Sequence, residues 1–76
     1  MSTIIKLYET RGKKHGLEII REPDNTYTIR VTNRGRTGYK SVNHTLQSAM
    51  GHARMFIQDS AEIDGINLIE QGTSNV

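Results

Sequence analysis

The sequence predicts an α+β domain. The expected architecture is a four- or five-stranded antiparallel sheet with one helix, residues about 45–60, packed on one face, in the order ββββα(β). Three observations carry this. Up to Asn43 apolar residues alternate with a period of two, and from Leu46 they recur with a period near 3.6. The alternating segments are rich in Ile, Val, Thr and Tyr, and Gly, Pro, Asn and Asp fall between them. With 76 residues, 34% of them hydrophobic, the chain can bury only one core, so residues 1–71 are read as one domain and 72–76 as a flexible tail.

The elements follow in order. Residues 3–9 alternate around Ile5 and Leu7 and form the first strand. Arg11-Gly12-Lys13-Lys14-His15-Gly16 is a loop, because two glycines bracket a charge run. Leu17 and Ile19 face inward from the second strand. Pro23-Asp24-Asn25 supplies turn chemistry, and Tyr27, Ile29 and Val31 alternate with threonines and Arg30, so residues 17–32 form a hairpin. Asn33–Gly38 is a further turn and Tyr39–Asn43 a short fourth strand. Leu46, Ala49, Met50, Ala53, Phe56 and Ile57 then make one apolar helical stripe. Thr45 or Asn43 can supply the N-cap oxygen, and the helix is expected to end between Ile57 and Glu62. Ile66–Glu70 is either a last short strand or an irregular arm. The expected core is Ile5, Leu7, Leu17, Ile19, Tyr27, Ile29, Val31, Leu46, Ala49, Met50, Ala53, Phe56 and Ile57.

Composition removes several classes of function. The chain contains no Cys, which excludes disulfides, thiolate nucleophiles and zinc fingers. His44 and His52 stand eight positions apart, too far to chelate as an i, i+4 pair, and no metal site is expected. His52 lies opposite the apolar stripe and is expected to be solvated. No nucleophile elbow or phosphate loop is present, so the protein is expected to be neither an enzyme nor a binder of cofactors or small-molecule substrates. Met1–Lys6 lacks the long apolar run of a signal peptide and no apolar segment could span a membrane, so a cytoplasmic protein is expected.

Charge is placed unevenly. Residues 1–45 hold nine Lys and Arg against four Asp and Glu, giving +5, while residues 46–76 hold one against four, giving −3. In an up-and-down meander the first and third loops emerge at the same end of the sheet. That brings Arg11, Lys13 and Lys14 beside Arg34 and Arg36. Such an edge suits an anionic partner. The competing outcome is neutralisation by Asp59, Glu62 and Asp64 at the end of the helix. On the sheet face away from the helix, alternation places Ile4, Tyr8, Ile20, Arg30, Lys40 and Val42. Apolar residues among cations there fit a homodimer contact, a different protein partner or a nucleic acid.

The segment from Tyr27 to Ile57 is strand–strand–helix with Thr45-Leu46 opening the helix, and it is similar to antitoxin domains of the HicB type. In its small size and Cys-free αβ pattern the chain also resembles phage-encoded inhibitors, including anti-CRISPR proteins, which would place it in the host cytoplasm. The functional expectation is a non-enzymatic module that uses its basic edge on an anionic macromolecule, as a protein-binding inhibitor or adaptor. The alternatives are a single- or double-stranded nucleic-acid-binding domain and a HicB-like antitoxin domain.

Overall fold

The computed structural model describes residues 2–71. The tail assigned to residues 72–76 lies outside the described residues. Five strands, β1 (Thr3–Glu9), β2 (His15–Arg21), β3 (Tyr27–Asn33), β4 (Arg36–Asn43) and β5 (Ile69–Gln71), form one antiparallel sheet in the order β4-β3-β2-β1-β5. The one helix among the described residues, α1 (Leu46–Asp64), packs on one face. This is the expected α+β architecture. Ile66–Glu70 resolves into an arm that lays Leu68 on the core and a strand that pairs with the end of β1.

The core is small. Leu17, Ile19 and Ile29 are fully enclosed, and Ala49 and Ala53 of α1 close over them. The alanines let the helix backbone approach the sheet, while Ile5, Tyr8, Tyr27, Val31, Met50, Phe56, Ile57 and Leu68 pack around the rim. Each enclosed aliphatic side chain contributes about 1.5–3 kcal/mol relative to exposure.

Two sequence expectations fail in β1 for one reason. Ile4 pairs with Ile20 but Lys6 pairs with Ile19, so Ile5 and Lys6 together oppose one residue across a bulge. An extra residue reverses the alternation beyond it. Leu7 therefore lies opposite Glu18 on the outer face, and Tyr8 lies opposite Leu17 and packs on the core. Tyr8 is thus not part of the outer face, and Leu7 is not part of the core. Leu46 also departs from the expected core, being 41% exposed. As the first helical residue, its Cβ tilts back toward the helix N-terminus and away from the middle of the sheet.

Thr45 caps the helix, its Oγ1 accepting from the Ser48 N–H at 3.1 Å. The helix runs past its expected end because Ser60 continues the buried stripe and the stop signal is Gly65. Gly65 adopts φ 67°, and the N–H groups of Gly65 and Ile66 both donate to the Ser60 carbonyl. A Cβ at Gly51 would meet nothing within 4 Å, so close packing does not require that glycine. The 19 residues of α1 rise about 28 Å, against about 23 Å for a seven-residue strand. The helix starts beside the β2–β3 turn and overshoots the sheet, which brings Gly65–Asn67 beside the β1–β2 loop.

A basic loop end as the candidate binding site

Two tight connections make this end. Between β3 and β4 the chain turns on Arg34 and Gly35, with φ 54° and 82°. Two successive left-handed residues match the twist of the flanking strands, as in type I′ hairpins. Arg36 is the first residue of β4, which begins earlier than expected, and it pairs with Asn33. Between β1 and β2 the Lys13 N–H donates to the Thr10 carbonyl at 2.9 Å, and the Thr10 N–H to the His15 carbonyl at 3.0 Å. Gly12 and Lys13 both take positive φ. The Arg34 N–H donates to the Lys14 carbonyl at 2.6 Å, tying the two connections together.

The five expected cations therefore lie on or beside two hydrogen-bonded connections at one end of the sheet. Arg11, Lys13, Lys14, Arg34 and Arg36 are all exposed. Among the described residues, the ion pairs within 4.0 Å are Lys6–Glu70 and Arg30–Glu18, and none of the five takes part in one. Asp59, Glu62 and Asp64 are exposed as well, and the Glu62 carboxylate accepts from Gln58 on its own helix. Two hollows lie at this end. Lys14, His15, Asn33, Arg34 and Arg36 line one. Arg11, Lys14, His15, Ile66, Asn67 and Ile69 lie in the wall of the other. Lys14 and His15 belong to both, so the hollows adjoin, while Lys13 lines neither.

The opposite end of the sheet has a different character. Glu22 accepts from Ser2 Oγ at 2.5 Å and from Thr28 Oγ1 at 2.7 Å. These bonds, the Ser2 bond first, hold its carboxyl below the ordinary carboxylate range. Asp24 accepts from the hydroxyl of Thr26 at 2.6 Å and from its N–H at 3.1 Å, which lowers its pKa too. Asn25 takes the left-handed position of this turn, at φ 67°.

The outer face is ordered in rows across the strands. Ile4, Ile20, Thr28 and Val42 form one row, and Leu7, Glu18, Arg30 and Lys40 the next. Arg30 is not a free cation: its Nη2 lies 2.6 Å from Glu18 Oε1. Lys40 is exposed, as are Ile4 at 45% and Val42 at 62%. His52 departs from the solvated position expected for it. It is half-buried against β4, its ring edge-on to Tyr39 at 6.1 Å, and Tyr39 also stacks on Phe56. Gly38 bulges β4 between Thr37 and Tyr39, which turns Tyr39 to the helix face opposite Val31.

Ile66, Asn67 and Ile69 are the part of this end that sequence reasoning did not assign. The available signal was Asp64-Gly65, a helix stop beyond the expected window of Ile57 to Glu62, which returns the chain to the cationic loops. No helix among the described residues is long and apolar enough to cross a membrane. Compared with family models, curated proteins and solved structures, the chain matches none.

Proposed function

We propose that the protein is a non-enzymatic binding module that engages an anionic macromolecular partner through its basic loop end, as a protein-binding inhibitor or adaptor. One observation carries this reading: five cations sit on or beside two connections joined by the Arg34–Lys14 hydrogen bond, and none is ion-paired with a carboxylate of the described residues. Clustered like charges repel, and unpaired surface cations add little to stability. Their use is outward, as charge-assisted hydrogen-bond donors to carboxylates or phosphates. The test is a titration with fluorescent polyglutamate at rising salt. Affinity should fall steeply with salt and drop at least tenfold in Arg36→Glu. Binding that ignores both salt and Arg36 would contradict the proposal.

A second copy of the chain is the occupant proposed for the outer face, where the row Ile4–Ile20–Val42 leaves apolar surface beside Lys40. Light scattering at high micromolar concentration should then exceed the monomer mass of 8.6 kDa. A mass at that value would rule the dimer out.

A further inference from the structure

Resting on the basic-end reading, we infer that the partner is an acidic protein segment carrying an apolar side chain, bound with its carboxylates on Arg11, Lys14, Arg34 and Arg36 and its apolar group on Ile66 and Ile69. The adjoining hollows differ in chemistry. The one at the β3–β4 turn is lined by polar and charged side chains, with Arg34 and Arg36 at its wall. The other has Arg11 and Lys14 on the β1–β2 side and the aliphatic Ile66 and Ile69 on the far side. Ile69 is 54% exposed on a three-residue edge strand, an apolar group in contact with water beside concentrated positive charge. Neither Glu9 nor Asp64 lines either hollow, so the nearby carboxylates do not fill the place of a partner's.

The same geometry disfavours a single-stranded polynucleotide. Single strands bind without sequence preference by stacking successive bases on aromatic rings alongside backbone contacts. Tyr8 and Tyr27 pack on the core, and Tyr39 and Phe56 stack on each other. Among the described residues, the one ring lining either hollow is that of His15. Aliphatic side chains offer a base no stacking face but offer a leucine or isoleucine a dry contact.

The experiment uses the full chain and three labelled probes of equal charge: a short polyglutamate with one central leucine, the same peptide with serine in its place, and a single-stranded oligonucleotide. The leucine peptide should bind about tenfold more tightly than its serine twin, the scale of burying one aliphatic group. The oligonucleotide should bind no more tightly than the serine peptide. Ile69→Ser, at an exposed position, should erase the leucine advantage and leave the serine peptide unchanged. An oligonucleotide that binds best, or a leucine advantage that survives Ile69→Ser, would overturn the inference while leaving the basic end as a binding site. If none of the three binds in a way that Arg36→Glu weakens, the basic-end reading fails and this inference with it.

Discussion

The two ends of the sheet use charge in opposite ways. At the β2–β3 turn both carboxylates lie within local hydrogen bonds: Ser2 and Thr28 hold Glu22, and Thr26 holds Asp24. At the other end five cations stand on or beside tight turns without carboxylate partners among the described residues. Backbone conformation repeats the contrast. The left-handed position of the first turn is filled by Asn25, a residue that tolerates it, whereas Lys13 and Arg34 occupy such positions at the second. A non-glycine residue there costs about 1–2 kcal/mol. One end ties its carboxylates into local hydrogen bonds, and the other keeps cations where glycine would be cheaper. Strain retained together with unpaired charge is what supports the proposed binding role of this end.

The largest expected effect lies under both ends. Leu17→Ala removes one of three fully enclosed large side chains and should cost about 2–5 kcal/mol by urea denaturation. With so small a core, both ends should unfold in one transition. Separate transitions at the two turns would break the picture of a shared core.

Next is the network end. Thr28 is 3% exposed and donates to Glu22, so Thr28→Val should destabilise by about 1–2 kcal/mol, read in the same urea assay. The pH dependence has a defined sign. Glu22 and Asp24 have lowered folded pKa values, so their contribution is present above the ordinary carboxylate range near pH 4 and is lost as pH falls through the folded values. Stability should therefore decline below about pH 4, and less steeply in Thr28→Val than in the parent. Equal slopes would detach Thr28 from that network.

A smaller effect of opposite sign is expected at the basic end. Arg34→Gly relieves the left-handed strain and should stabilise by about 0.5–1 kcal/mol, with weaker binding to polyglutamate. A loss of stability would mean that the Arg34 side chain is structural.

Much of this contrast was legible in the sequence. Alternation located β1 through β4, and meander topology placed the first and third connections together. The face of Tyr8 was not legible, because a bulge at Ile5 is a matter of pairing register and leaves no mark in composition. The end of α1 was misplaced because the apolar stripe weakens after Ile57, while the helix is closed by Gly65 and the buried residue that carries it there is a serine. That same error hid Ile66 and Ile69 from the site. Nor could residue types alone decide between paired and unpaired cations, since that depends on which carboxylates come within 4 Å.

The double reversal Lys13→Glu with Arg36→Glu tests the central claim most directly, with stability and polyglutamate binding measured on the same sample. Both side chains are exposed and without ion pairs among the described residues, so the unfolding free energy should change by no more than about 0.5 kcal/mol, while binding is lost. A variant that unfolds readily, yet binds as well as the parent in its folded fraction, would show that the cations hold the domain together and that the basic end is not a binding surface.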